Sequence, residues 1–250
     1  MIRDPAAWDR ARREDKIPSM SPFAVLRSAL FALALAASPA LASPFAVQLG
    51  NIRIVLDTPP GFADASATGS PRVLELAEQL TSASNRILLF GITDADFRRF
   101  SVGDTPDMRR YVIAVTPRAQ ERYAVSPSDF ERYVADVTRS LGKPPEATDY
   151  HKYLEKVPEG QPVLLSELRR EEALVSLMQG ARLAPIESQH LFTWDKPQPR
   201  YLLSTTTLLL LHERALSLSI YTGYDSPQDL DWLLYTTKRW IEDLKRINRR

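Results

Sequence analysis

Residues 201–248 read YLLSTTTLLLLHERALSLSIYTGYDSPQDLDWLLYTTKRWIEDLKRIN, and three patterns succeed one another within them. Tyr201 to Leu211 and Leu216 to Thr222 are rich in Leu and Thr. In the second run Leu216, Leu218 and Ile220 fall on one side, and Ser217, Ser219 and Tyr221 on the other. Period-two alternation of this kind describes strands with one covered and one wetter face, the habit of an antiparallel sheet. His212 to Ala215 supplies the turn between them. Ser226 and Pro227 then open a helix, because Ser caps the first free N–H groups and Pro at the first helical position has no N–H to leave unpaired. Asp229 stands three residues beyond the cap. Leu230, Leu233, Leu234, Thr237, Ile241, Leu244 and Asn248 recur at helical spacing, so this helix is expected to lie on the sheet. Lys245, Arg246, Arg249 and Arg250 suit the negative end of its dipole.

Upstream, the same Ser-Pro start occurs at Ser70 and Ser126. The first helix buries a stripe of Leu74, Ala77 and Leu80 and ends near Asn85. The second runs through Phe130, Val134, Val137 and Leu141 to Gly142 and Pro144. Nothing around the three starts recurs at a fixed period, so they are shared capping chemistry and not a repeat. Val47, Leu49, Ile52, Ile54 and Leu56 alternate on either side of Gly50 and Asn51, and Thr58 to Gly61 stops them. Ile87 to Ile92 and Arg110 to Thr116 also read as strands. Pro145 to Pro162 is a connection around a short helical segment, Ala147 to Lys156. Val163 to Leu168 and Leu174 to Leu183 read as strands turned at Arg169 to Glu172, with a single amphipathic helix over Ser166 to Gln179 as the competing reading. The fold class is α+β: an antiparallel, meander-type sheet covered by helices in two or three layers.

At the other end of the chain, Met20 to Arg27, the apolar run Ala29 to Ala37 and the small residues Ala40 and Ala42 have the order of a secretory signal peptide. The apolar core is shorter than the ~20 residues a membrane span needs, so removal is expected over anchoring. Residues 1–19 hold Arg3, Arg10, Arg12, Arg13 and Lys16 against Asp4, Asp9, Glu14 and Asp15, an unusual start for such a leader. They read as a non-native extension with Met20 as initiator, the alternative being a long n-region with a twin-arginine pair at Arg12 and Arg13. Removing the 42 residues before Ser43 from 250 leaves 208, read as one domain spanning 43–250. Of 32 Lys plus Arg, six precede Ser43, and of 31 Asp plus Glu, four do, leaving 26 against 27. That balance argues against a nucleic-acid binder, which needs clustered positive charge. With no cysteine there is no disulfide, thiol nucleophile, thiolate metal site or N-terminal lipid attachment.

Motifs for chemistry are sparse. The nine glycines form neither phosphate-loop pattern, and G-x-S-x-G does not occur. His151, His190 and His212 are far apart and lack metal-ligand spacing. Asp94 with Asp96, Asp104 with Asp107, and Asp229 with Asp231 are the carboxylate pairs, the last in the first turn of a helix where negative charge is favoured. Thr93 to Asp107, which carries Arg98 and Arg99 and is followed by Arg109 and Arg110, is the best candidate for a functional loop, with a solvated hairpin connection as the plainer reading. Tyr221, Tyr224, Trp232, Tyr235 and Trp240 cluster around the last strand and helix and read as helix-on-sheet packing or, if exposed, as a partner surface. No catalytic, cofactor or metal residue is assigned; Trp232, Tyr235, Trp240, Arg98 and Arg99 are the candidate interaction surface.

The strand ending in Leu56-Asp57-Thr58-Pro59-Pro60-Gly61-Phe62 and the closing Tyr221-Thr222-Gly223-Tyr224, Ser226-Pro227, Asp229, Leu230, Trp232, Thr236-Thr237 and Trp240 resemble a group of exported proteobacterial proteins of uncharacterised activity. The element order is similar, more loosely, to the PsbP-like α/β sandwich. That resemblance implies binding or assembly in place of catalysis. The expectation is a periplasmic or secreted, non-enzymatic accessory or assembly factor whose partner is another envelope protein, with no cofactor, no nucleic acid and no membrane anchor after cleavage. The competing readings are an envelope hydrolase using carboxylates or histidine, and a small-ligand binding module. N-terminal sequencing of the exported product is expected to begin at Ser43; an intact Ala29 to Ala42 would overturn the cleavage.

Overall fold

The computed structural model describes residues 44–147, 149–184 and 200–249. The leader, its cleavage point, Met20 and His190 lie outside the described residues. Chain contacts separate Met1–Leu41 from Ala42–Arg250, and the second unit is the one described below.

Its first hairpin, β1 (Phe45–Leu49) and β2 (Ile52–Leu56), is antiparallel. Gly50 turns it at φ +58°, where an added Cβ would sit 3.1 Å from the Arg122 carbonyl oxygen. A seven-stranded antiparallel sheet follows, built from β3 (Phe62–Asp64), β4 (Asn85–Thr93), β5 (Arg110–Pro117), β6 (Val163–Glu171), β7 (Leu174–Leu183), β8 (Arg200–Leu211) and β9 (Arg214–Gly223). The helices are α1 (Pro71–Gln79), α2 (Asp94–Ser101), α3 (Pro127–Leu141), α4 (Tyr150–Leu154) and α5 (Pro227–Ile247). Spatial order is β3-β4-β5-β9-β8-β7-β6. Two meanders, β3 to β5 and β6 to β9, are thus joined because the last strand returns to pair with β5. The expected antiparallel α+β architecture is present, and Ser166 to Gln179 forms the two-stranded alternative and not a helix.

Helices cover both faces. Val112, Ala114, Leu216, Leu218, Ile220, Leu203, Leu209, Leu174 and Met178 line the first, against α5, α4 and the β1–β2 hairpin. On the second face α1 and α2 pack over Phe90, Ile92, Tyr111, Ile113 and Val115. The far end of that face belongs to α3, whose Phe130 and Val134 meet Val175, Leu177, Leu208 and Ala215. The alternation read in β9 is therefore that of a strand whose Leu216, Leu218 and Ile220 line the first face and whose Ser217 and Ser219 lie on the second, between two helical covers.

Three expectations change. Thr93 to Asp107 is not a loop throughout, because Asp94–Ser101 is helical; Thr93 accepts the Asp96 amide (3.1 Å), acids occupy the first turn and Arg98 and Arg99 the last. The buried stripe of α1 is rotated by one residue, with Val73 and Ala77 inward and Leu74 42% exposed. The β8–β9 turn is tighter than read, a two-residue reversal at His212 and Glu213, both at positive φ. The first face also admits close strand approach at Gly91, where a Cβ would stand 2.6 Å from Val112 Cγ2 and 3.3 Å from Thr58 Cγ2. Gly91→Ala is expected to cost about 1–3 kcal/mol by urea unfolding, since a β-branched neighbour in a filled core cannot swing aside.

Candidate functional site at one rim of the sheet

On the first face, β7 and β9 end where β5 and β8 begin. Register sets Arg182 opposite Tyr201 and Arg110 opposite Thr222, so the alternation that points Met178 and Ile220 into the core points these polar side chains onto the same face at its rim. The first turn of α5 and the short α4 lie over this row.

Asp229 organises the α5 side. It is 4% exposed. Its Oδ2 accepts the amides of Asp225 and Ser226 (3.2 Å each), completing a capping box with Ser226. Arg110 Nη2 donates to Oδ1 at 3.0 Å, and Arg109 Nη2 reaches both oxygens at 3.1 Å while its other nitrogen pairs with Asp225. Burial pushes the Asp229 carboxyl up, but the Asp225 amide and the two guanidinium groups outweigh it and hold the group below the ordinary carboxylate range. Arg110 also lies over the Trp232 ring, 4.1 Å from its centroid, and Phe62 packs on the same indole at 6.1 Å. A cation so placed is attracted by the ring quadrupole.

The α4 side is aromatic. Asp149 caps α4 by accepting the Lys152 amide. The His151 ring is stacked on Tyr224 (centroids 4.1 Å) and meets Tyr201 edge-on at 5.1 Å. Tyr224 N donates to the Tyr201 carbonyl at 2.9 Å, which locks the start of β8 to the end of β9. Arg182 Nη1 donates to the Glu155 carbonyl at the C-terminus of α4 (3.2 Å), where a cation meets the negative end of the helix.

The five residues of the expected surface do not form one patch. Trp232 is half-buried at the rim and Tyr235, one turn on, is 64% exposed. Trp240 is not a surface residue: it is 2% exposed, packs among the first-face core and donates Nε1 to the Asp57 carbonyl at 2.7 Å. Arg98 and Arg99 are exposed on α2, on the opposite face of the sheet from α5, with no ion-pair partner among the described residues. The groups an acid–base reading would need are also dispersed. Asp96 accepts the Thr93 hydroxyl and the Asp107 amide, tying the α2 segment together. His212 turns the opposite end of the sheet, and no group of three or more metal-ligating side chains occurs among the described residues. Arg109 and Arg110 reach the rim through contacts across more than a hundred residues, and Arg182 and Tyr201 through the β7–β8 register, so no local pattern marks these four.

No family model matches the chain, and no curated protein matches it. Two solved structures align: the Ran-binding protein Mog1p of Saccharomyces cerevisiae, and a point mutant of Mog1. In each case identity is 14% and the TM-score 0.37, over 82% of this chain and 94% of that one. A likeness of that size carries no argument about activity.

Asp229→Ala removes a cap worth about 1 kcal/mol and leaves two arginines without their shared buried acceptor, for a total loss of roughly 2–4 kcal/mol at pH 7. Because the folded-state pKa is lowered, this stability is fully present above the unfolded value of about 3.9 and is lost as pH falls through the folded one. Urea unfolding should therefore show the gap between wild type and variant narrowing below about pH 4.

Proposed function

We propose that the protein is exported, loses its leader at Ala42, and acts in the periplasm or outside the cell as a non-enzymatic accessory or assembly factor that binds another envelope protein. The binding surface in this reading is the outer flank of α5 together with the rim arginines. One observation carries it: Arg110 is held over the Trp232 ring by Asp229, next to the exposed Tyr235. Arg, Trp and Tyr are the residue types that dominate binding energy at protein interfaces, most of all where they are already ordered before the partner arrives. The near-neutral charge of the chain favours a protein partner over an anionic polymer.

Crosslinking in the intact periplasm followed by affinity purification tests it. The wild-type chain should return a defined partner, and Tyr235→Ala should weaken the reconstituted complex about tenfold or more. Its own unfolding free energy should stay within about 0.5 kcal/mol, because the side chain is exposed. Arg98→Ala and Arg99→Ala, on the other face, should leave binding unchanged. Retention of full affinity by Tyr235→Ala would remove this surface from the reading, and absence of any crosslinked partner would remove the reading itself.

A further inference from the structure

At the opposite end of the sheet from the rim, the connection from β5 to α3 carries the most exposed aromatic ring among the described residues, Tyr123 at 70%. Such a ring on a loose loop would mean little, but this loop is pinned at four places. The Arg118 amide donates to the Ser84 carbonyl (2.9 Å), Glu121 is ion-paired with Arg86, the buried Arg214 donates to the Tyr123 carbonyl at 3.0 Å, and the Val125 amide reaches the Glu213 carbonyl at 2.9 Å. The Tyr123 amide closes a local turn on the Gln120 carbonyl at 3.2 Å. The main chain on both sides of the ring is therefore set before anything binds, and a group already ordered loses less entropy on contact.

Beside Tyr123 an open cleft of about 460 Å³ lies between this loop and α3, within the size range of small-molecule sites. Asp129, Arg132, Tyr133 and Asp136 supply much of its wall, and all but the half-buried Tyr133 are exposed to solvent. The charges are already committed to one another. Asp129 accepts the Ser126 hydroxyl at 2.7 Å and pairs with Arg132, and Asp136 pairs with Arg139 at 2.8 Å. What the wall still offers is hydrogen bonding: each carboxylate keeps lone pairs, Arg132 keeps further N–H groups, and the Tyr133 phenol both donates and accepts.

An exposed ring face next to charge-balanced donors and acceptors suits a ligand that is apolar on one side, hydroxyl-rich at its edge and without charge. A pyranose ring has that form. Its C–H groups, polarised by the neighbouring oxygens, are attracted to the negative face of an aromatic ring, and each of its hydroxyls both donates and accepts. We infer that the cleft between the β5–α3 connection and α3 binds a neutral saccharide, with one pyranose lying on the Tyr123 ring and its hydroxyls bonded to Asp129, Arg132 and Asp136. The site lies at the far end of the sheet from the rim and does not depend on the partner surface proposed above.

Calorimetric titration of the purified protein with chitotriose, cellotriose and maltotriose separates N-acetylated, β-linked and α-linked glucose units. At least one is expected to bind saturably with Kd below about 1 mM, and the one that does identifies the source. Tyr123→Ala should weaken that binding about tenfold or more and Asp136→Ala about threefold, each with Tm within about 2 °C of wild type because both side chains are exposed. Tyr123→Phe keeps the ring and should bind within about threefold of wild type, while Tyr235→Ala should bind as wild type does. The inference is overturned if no trisaccharide saturates, if Tyr123→Ala binds as tightly as wild type, or if Tyr123→Phe loses as much as Tyr123→Ala. Displacement of the sugar by succinate or putrescine at constant ionic strength would also overturn it, since the cleft would then be reading charge.

Discussion

Helix α5 is fixed at both ends, to the sheet at one and to the β1–β2 hairpin at the other, and the first face exists only because it is. At the N-terminal end Asp229 collects the start of β5 through Arg109 and Arg110. At the C-terminal end Asn248 accepts the Val55 amide at 2.9 Å and donates to the Val55 carbonyl at 2.8 Å, pairing with β2 as a neighbouring strand would. Between these pins Leu233, Trp240, Ile241 and Leu244 are buried, and the Thr237 and Thr205 hydroxyls meet at 2.6 Å. Each large apolar side chain so buried contributes about 1.5–3 kcal/mol relative to exposure. Remove the helix, and β8 and β9 would present a continuous apolar surface larger than soluble monomers tolerate. With no cysteine in the chain, no disulfide supplements this packing.

The two edges of the sheet are protected by different means. β3 is three residues long, too short to recruit another strand. β6 is nine residues long, but Leu165 and Leu168 are extra residues that break its register with β7, and its second half carries the ion-paired Glu167, Arg169, Arg170 and Glu171. Bulges and charges at an edge discourage strand addition. Neither edge therefore invites an added strand, and the polar side chains of the first face are concentrated at the rim, where they replace the apolar alternation.

Local rules made much of this legible. Ser-Pro starts located α1, α3 and α5, a short apolar run located β4, alternation located β5, β8 and β9 but left β6 and β7 open against a helix, and Gly50-Asn51 located the first hairpin. These signals act within about ten residues, and each has a direct steric or hydrogen-bonding cause. The short helix α2 escaped because half of its eight residues are charged and leave only two inward aromatics, Phe97 and Phe100, as an apolar pattern, although Thr93 with Asp96 is a sound start signal. The strand order escaped for a different reason. Nothing near Arg110 announces that β9, more than a hundred residues later, will lie beside it, and the rim site depends on that pairing. Trp240 illustrates the same limit: aromatic clustering does not say which ring faces inward until the helix is set against the Asp57 carbonyl.

The opposite ends of the sheet hold their near-core arginines in different ways. At the β8–β9 turn the buried Arg214 has no carboxylate partner among the described residues, yet it donates to the Leu49, Tyr123 and Glu213 carbonyls and to Asn51 Oδ1, joining three segments. Four neutral acceptors distributed over three nitrogens leave that cation well solvated by the protein, and nothing further is asked of it. Arg182 at the rim has one such acceptor, and among the described residues its Nε and the facing Tyr201 hydroxyl have none. Two arginines in one chain, each close to the core and each without a carboxylate, thus differ in whether the fold itself completes their hydrogen bonding. Where the fold completes it, the residue is a clamp that joins segments distant in sequence.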